Sequence, residues 1–198
     1  MGRKKIPVLD DYMGEKAQVY ERRRGLKRIK IATTTRALEL LDLEKKAFIL
    51  DIGCGTGWST EIIKNEGHIV IGLDLSKNMI KLAQKKGFET IIADMRYIGI
   101  KSNYLDGSIS ISALNFVAEK SKTKKEVRNN YSKVASEIFR ILKPGGRAIF
   151  EYYPQSDIEL KISTQAFSSA GFQGGLVIDG VGTRKEQKFL VLAKPKKK

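Results

Sequence analysis

The most constraining feature of this chain is a stretch that neither an ordinary strand nor an ordinary helix would tolerate. "LDIGCGTGWSTEII", residues 50–63, carries glycine at 53, 55 and 57, directly after an apolar run and directly before a helical pattern. Glycine weakens strands and helices alike, so this spacing marks backbone that must turn tightly or let something approach closely. A short buried strand, a glycine turn and a helix in that order belong to folds in which strands and helices alternate.

The rest of the sequence continues the alternation. A helical pattern runs from about Glu15 to Leu43, first strongly basic and then apolar in "TRALELLDL". Strands are expected at "AFILDIG", "HIVIGLD", "ETIIAD", "GSISISAL" and "RAIFEYY". Between them lie helical patterns in "WSTEIIKNEG", in "SKNMIKLAQKKG" with Ser76 as N-cap, and in the long "KKEVRNNYSKVASEIFRIL" ended by "KPGG". A last helix, "SDIELKISTQAFSSAG", opens with a capping-box pattern of Ser156 and Glu159. "GGLVIDG" and "KEQKFLVLA" then follow with only a glycine-containing turn between them, which predicts an antiparallel pair. The expected fold is α/β, a doubly wound, mostly parallel seven-stranded sheet with an antiparallel terminal hairpin. The expected organisation is a basic helical cap over 1–46, one α/β domain over 47–193 and a basic tail over 194–198.

Composition narrows the function. The chain has 198 residues, one cysteine (Cys54) and one histidine (His68), which excludes internal disulfides and leaves no His- or Cys-based metal site. No run is long and apolar enough for a membrane span, the N-terminus has no signal-peptide core, and Ile6 breaks a myristoylation pattern at Gly2. A cytoplasmic protein without metal is expected. The formal charge of +15 is gathered in "RKK" at 3–5, "ERRRGLKRIK" at 21–30, "KSKTKK" at 120–125 and "KPKKK" at 194–198. Such blocks suit a polyanion, with nucleic acid first and an anionic membrane second, although a solvated lysine-rich surface would look the same.

The glycine spacing then separates the nucleotide folds. In the dinucleotide fingerprint G-x-G-x-x-G, counted from Gly53, the third glycine would fall on Trp58, and the Gly-Lys-Ser/Thr of a phosphate loop is absent. "DIGCGTG" at 51–57 instead resembles the first motif of the class I S-adenosylmethionine-dependent methyltransferases, D/E-x-G-x-G-x-G. Asp74 ends the second strand about twenty residues beyond the first strand, where an acid takes ribose hydroxyls. The resemblance implies that Asp94, ending the third strand in "IIADM", contacts the adenine amino group, and it makes "LKPGG" a further hallmark. It implies a cofactor site built from Tyr20, Asp51, Gly53, Cys54, Gly55, Gly57, Asp74, Leu75, Asp94, Met95 and Ser112. Cys54 reads as a small loop residue under the cofactor rather than a nucleophile.

The acceptor follows partly by elimination. The Asn/Asp-Pro-Pro-Tyr/Phe of amino-group methylation is missing; "SALNF" at 112–116 stands in its place. There is no cysteine opposite the methyl for carbon methylation, and His68 opens its strand at the wrong end to serve as base. What remains is an acceptor with a ready lone pair, or one deprotonated by other means, and guanine N7 is of the first kind. "LDGSISISALNF", "YYPQSDIELKISTQAFSSAGFQGGLVID" and "TRALELL" resemble the 18S, small-subunit rRNA (guanine-N7) methyltransferases, and the sequence looks like a short, archaeal-type member. That resemblance implies small-subunit rRNA as substrate during ribosome assembly. It also implies a small zinc-binding activator protein, held by strand pairing at the third-strand edge, "TIIA". Asn115 and Phe116 stand where the family often has Gln-Trp, so a base can stack on Phe116 while Asn115 addresses its edge. Core packing of Phe116 is the alternative. Tyr153 and Pro154 are expected in the acceptor pocket, with Tyr20 and Arg24 closing over the cofactor. Two other readings stay open: a small-molecule methyltransferase, and an assembly factor that binds cofactor and RNA with catalysis secondary.

Overall fold

One reversal of strand order positions everything functional in this molecule. The structure, a computed structural model, describes residues 12–43 and 46–196; the basic block at 3–5 and the last two residues of the tail lie outside them. Seven strands form one sheet: β1 (Phe48–Ile52), β2 (Ile69–Asp74), β3 (Thr90–Ile92), β4 (Leu105–Ile111), β5 (Leu142–Glu151), β6 (Gln173–Asp179) and β7 (Gln187–Ala193). Their order is β3-β2-β1-β4-β5-β7-β6, so the chain winds outward in one direction to β3 and then restarts at β4 beside β1. β1 pairs parallel with both β2 and β4, and only β7 runs antiparallel to its neighbours. The expected doubly wound sheet and its terminal hairpin are both present.

Helices cover both faces, which is why the inner strands read as nearly continuous apolar runs. α2 (Arg24–Leu41) and α3 (Trp58–Asn65) pack Ala37, Leu41 and Ile63 against Ile49, Ile109, Ile149 and Phe189. On the other face, α5 (Lys124–Ile141) and α6 (Asp157–Ser169) pack Tyr131, Val134, Ile138 and Phe167 against Leu50, Ile52, Phe150 and Leu190. Alternate residues of β1 thus serve opposite cores, as the pleat requires. α4 (Lys77–Lys85) packs against β2 and β3. β3 is left at the sheet edge, with Ile92 54% exposed.

Local chemistry moves several boundaries. The single N-terminal helix expected over 15–43 is two, α1 (Lys16–Glu21) and α2, broken at Arg22 and Arg23. Arg23 leaves helical geometry at φ −80° and ψ 79°, and the break lets Tyr20 turn onto Trp58, which it stacks at 4.6 Å. Ser76 caps α4 as expected, accepting from the Met79 amide. The Ser156–Glu159 capping box is only half made. Ser156 accepts from the Glu159 amide, but the Glu159 carboxylate accepts from the Tyr131 hydroxyl and the Gln155 amide instead. A complete box forms at Thr123 and Glu126, opening α5. "KPGG" follows the end of α5 as expected but lies inside the fifth strand and not before it: β5 starts at Leu142, with an irregularity opposite Leu105–Gly107. Lys194, assigned to the tail, belongs to the fold, donating to the Phe139 and Leu142 carbonyls.

Candidate functional site

The reversal between β1 and β4 opens a crevice at the carboxyl ends of the strands, the place where open α/β sheets take ligands. A cleft of about 610 Å³ lies there. Its floor is the loop after β1. Gly53, at φ 73°, runs so close to the next strand end that a Cβ would sit 2.1 Å from the Cβ of Ala113. Gly55, at φ 55°, faces open space, since an added Cβ would meet only Tyr20 at 4.0 Å. The two glycines therefore differ: Gly53 lets the β1 and β4 ends approach, and Gly55 leaves room for a ligand against the backbone. Gly57, at φ 89°, makes room for the Phe88 ring and is not on the cleft wall. Cys54 lies under the loop, its sulfur packed where a Cβ on Gly72 would clash at 2.7 Å. Burial, with Asp51 and Asp74 nearby, pushes the Cys54 thiol well above its ordinary range, which suits a packing residue and not a thiolate.

Three acids stand at three strand ends, each in a different environment. Asp74 lines the cleft and holds the loop: one oxygen accepts from the Gly55 amide at 2.9 Å, the other from the Ser76 amide at 2.7 Å. A carboxylate has about four lone-pair sites, so acceptor capacity remains for a ligand hydroxyl. Burial raises its pKa against the pull of those amides. Asp94 also lines the cleft, but Arg96 chelates it, with Nη2 at 2.5 Å from Oδ2. Burial would raise this carboxyl; the Arg96 hydrogen bonds outweigh it and lower the pKa. Asp51 is fully buried beneath the loop and off the cleft wall. Its Oδ2 accepts from the Ser59 and Thr60 hydroxyls at 2.7 and 2.6 Å, while Oδ1 has no hydrogen-bond partner. Burial pushes its pKa up to about 6.

Aromatic rings close the cleft on its outer side. Tyr20 stacks on Trp58, Tyr12 meets Tyr20 edge-on at 5.4 Å, and Tyr12 meets Phe116 at the same separation. Phe116 belongs to neither apolar core and lines the cleft, in a single 3-10 turn over Leu114–Phe116. Leu75, Met95 and Ser112 line it too. Asn115 and Tyr153 do not: the Asn115 Oδ1 accepts from the Tyr153 amide at 2.8 Å and its Nδ2 donates to the Ser112 carbonyl. Asn115 thus ties the chain after β5 to the chain after β4. Arg24 is not on the wall either. Lys120, Lys122 and Lys133 form a basic rim.

Sequence reasoning passed over Lys30, Tyr12 and the part played by Trp58. Lys30 lines the cleft and donates to the Ile111 carbonyl at 2.9 Å. Burial lowers its pKa, opposed by Glu151 and Asp51. It lay hidden inside a run of basic residues, where nothing distinguishes one buried lysine from its solvated neighbours.

The donor set suits S-adenosylmethionine. The Gly55 amide, on the cleft floor, is taken by Asp74, and a carboxylate at that place disfavours a phosphate. What faces the cleft is acid for ribose hydroxyls and a cationic centre, an open glycine floor, aromatic walls and one deep lysine. The family profile described as "Methyltransferase domain" matches residues 50–150. The 18S rRNA (guanine-N(7))-methyltransferase bud23 of Schizosaccharomyces pombe is 32% identical over 91% of this chain and 69% of that protein. The corresponding Arabidopsis thaliana enzyme, RID2, is 36% identical over 91% of this chain and 65% of its own length. The chain therefore spans about two thirds of the length of these relatives. Among solved structures, a chain of the complex between the Haloferax volcanii Trm112 methyltransferase activator and a methyltransferase matches with TM-score 0.65 and 18% identity, over 87% of this chain and 93% of that one. A Methanosarcina mazei SAM-dependent methyltransferase matches with TM-score 0.64 and 16% identity, over 78% and 95%. On its motif, its sheet order and these relatives, the chain belongs to the S-adenosylmethionine-dependent methyltransferases, in the family of the 18S rRNA (guanine-N7)-methyltransferases.

Proposed function

We propose that the chain transfers a methyl group from S-adenosylmethionine to N7 of one guanine in small-subunit rRNA during ribosome assembly. The observation that carries this reading is the convergence on one cleft of the open Gly55 floor, Asp74 and the aromatic Phe116, beneath a basic rim. In it, Asp74 takes the ribose hydroxyls, Leu75 and Met95 flank the adenine, and the Arg96-bound Asp94 sits at the adenine amino edge. Lys30, the deep cation of the wall, balances the carboxylate of the cofactor's amino acid, and Asp51 balances its ammonium from below. Bound there, the cofactor supplies an electrophilic methyl on its sulfonium.

The protein's task is then alignment. Guanine N7 is unprotonated at neutral pH, so no residue has to remove a proton, and holding the two reactants in line supplies on the order of 7–11 kcal/mol. Phe116 offers a stacking plane for the base. In A-form RNA the N7 edge faces a groove too deep and narrow for side chains, so the guanine enters unpaired or extruded. The N-terminal helices over 16–41 and the 120–125 segment hold the flanking phosphates, which makes binding strongly salt-dependent. The unpaired outer side of β3, with exposed Ile92, is the edge on which a small zinc-binding activator protein pairs. The proposed site of action is cytoplasmic; no helix of the described residues is long and apolar enough to cross a membrane.

The test is incubation of the chain, alone and with the activator, with methyl-labelled S-adenosylmethionine and small ribosomal subunits, followed by nucleoside analysis. Label in N7-methylguanosine at one position is expected. Label in another nucleoside, or in small molecules only, overturns the reading.

A further inference from the structure

The turn between β6 and β7 carries cations that the folded chain leaves unused, and the sheet delivers it to the acceptor end of the molecule. β7 runs antiparallel to β5, with Phe189 opposite Glu151, so the residues before β7 stand past the end of β5. The Tyr152 amide, just after β5, donates to the Lys188 carbonyl at 3.0 Å. The turn over 180–186 therefore rises at the same edge of the sheet as the cleft, beyond β5 in the strand order. It lies outside the four basic blocks of the sequence.

The base of the turn is fixed from both strands. Asp179 and Gln187 face each other in register, and each reaches α2. Asp179 accepts from the Arg36 Nε at 2.7 Å, and Gln187 donates to the Thr33 hydroxyl at 2.7 Å. The turn also closes on itself. The Thr183 hydroxyl donates to the Gly180 carbonyl and accepts from the Lys185 amide, and Glu186 accepts from the Gly182 amide. These contacts leave the charges unequal. Arg36 neutralises Asp179 and Lys188 pairs with Glu186 at 3.5 Å, whereas the exposed Arg184 and Lys185 pair with no acid among the described residues. A turn held this firmly loses little conformational freedom when it meets an anion. Tyr153 follows β5 beside it. Its hydroxyl reaches Glu151 and Gln187, its amide is tied to Asn115, and 40% of the residue stays exposed. With the polar atoms engaged by the protein, what Tyr153 offers outward is its ring.

We propose, on the rRNA reading above, that the β6–β7 turn and Tyr153 form a second RNA surface, which holds the nucleotide next to the methylated guanine. Arg184 and Lys185 take its phosphate, and the Tyr153 ring stacks its base. An extruded nucleotide has a phosphate on each side and leaves its neighbours without a stacking partner. The basic rim of Lys120, Lys122 and Lys133, on the segment leading into α5 and on α5 itself, meets one side. The turn, on the other side of the β4 end, meets the second. This also accounts for Tyr153 standing off the cleft wall: it serves the neighbour and not the reacting base. Free cations beside an aromatic plane are the combination that holds single-stranded RNA, whereas an acidic protein segment needs only the cations.

The experiment measures methyl transfer to small ribosomal subunits, with the activator present, over a range of KCl concentrations. In Arg184→Ala/Lys185→Ala the KM for subunits is expected to rise on the order of tenfold with kcat nearly unchanged. The slope of log KM against log[KCl] becomes shallower by about 1–2, since each phosphate contact on single-stranded RNA contributes about 0.7. Tyr153→Ala lowers kcat/KM about 5–100-fold and leaves that slope alone, while Tyr153→Phe keeps most of the activity. Cofactor affinity, measured by calorimetry, stays at the wild-type value in all three, which a merely structural role would not predict. Lys64→Ala/Lys101→Ala removes the same charge at the opposite end of the strands and keeps the wild-type KM and slope. A KM and slope in Arg184→Ala/Lys185→Ala equal to those of the wild type or of that control overturn the proposal and leave N7 methylation standing. So does full activity in Tyr153→Ala, or loss of activator co-purification in place of subunit affinity, which would assign the turn to a protein partner. Absence of N7-methylguanosine from the wild type with its activator removes the underlying reading instead.

Discussion

Asp51 provides the sharpest test of how this site trades stability for binding. It is fully buried, one oxygen has no partner, and its pKa is raised to about 6. An acid whose pKa is raised on folding binds its proton more tightly in the folded state. Its contribution to stability is therefore complete below its unfolded value, near 4, and is lost as the pH rises through about 6. A displacement of roughly two units corresponds to about 3 kcal/mol forgone at neutral pH. Asp51→Asn keeps an acceptor for Ser59 and Thr60 and removes the charge. It should raise stability at pH 7.5 by about 1–3 kcal/mol, or roughly 2–10 °C in a chain of this size. At pH 4.5 the gain should shrink toward zero. Thermal unfolding followed by circular dichroism at the two pH values reads this directly. The same variant should bind S-adenosylmethionine about tenfold more weakly, because the charge that destabilises the empty fold balances the cofactor's ammonium. A destabilised Asp51→Asn at pH 7.5, or one whose gain is the same at both pH values, refutes the reasoning.

Four further outcomes follow from the geometry. Gly53→Ala drives a Cβ onto that of Ala113 at φ 73°, which should cost about 2–4 kcal/mol of stability. Adding Ala113→Gly should recover much of the loss seen in thermal unfolding, and failure to do so would mean that the close approach of the two strand ends is not what the glycine is for. Asp74→Ala should weaken cofactor binding by about 10–100-fold in calorimetry, since it removes both a ligand contact and the anchor of Gly55. Phe116→Ala should leave that affinity intact and lower methyl transfer to RNA; an unfolded Phe116→Ala would assign the ring to packing. Ile92→Lys, on the exposed edge strand, should abolish co-purification with the activator while leaving the melting temperature nearly unchanged. Retained co-purification would move the activator elsewhere.

Much of this was legible in the residues because the strongest signals are periodic or conformational. The alternation of apolar runs and helices predicts seven strands, and the missing helix before the last strand predicts the hairpin of β6 and β7. The glycine loop predicts the cleft. The sequence does not reveal that the glycines divide their tasks, because a Cβ clash with Ala113 or Phe88 depends on residues 60 and 31 positions away. It does not reveal the break at Arg22–Arg23 either: stacking of Tyr20 on Trp58 is a tertiary demand that overrides a helical pattern. Glu159 has a good capping-box spacing, yet a buried tyrosine hydroxyl competes for its carboxylate and takes it. Lys30 escapes notice for a similar reason. It is one lysine in a basic run, and only the packed sheet brings it to the cleft and the Ile111 carbonyl.

The central claim is that the crevice between β1 and β4 holds a sulfonium nucleoside with its reactive end toward the β4 and β5 termini. A crystal structure with S-adenosylhomocysteine tests it most directly. The account predicts the ribose hydroxyls on the Asp74 carboxylate, the adenine between Leu75 and Met95, and the sulfur turned toward Phe116 and Ser112. The nucleoside bound at another edge of the sheet, or lying over Gly55 in the reverse direction, would contradict it.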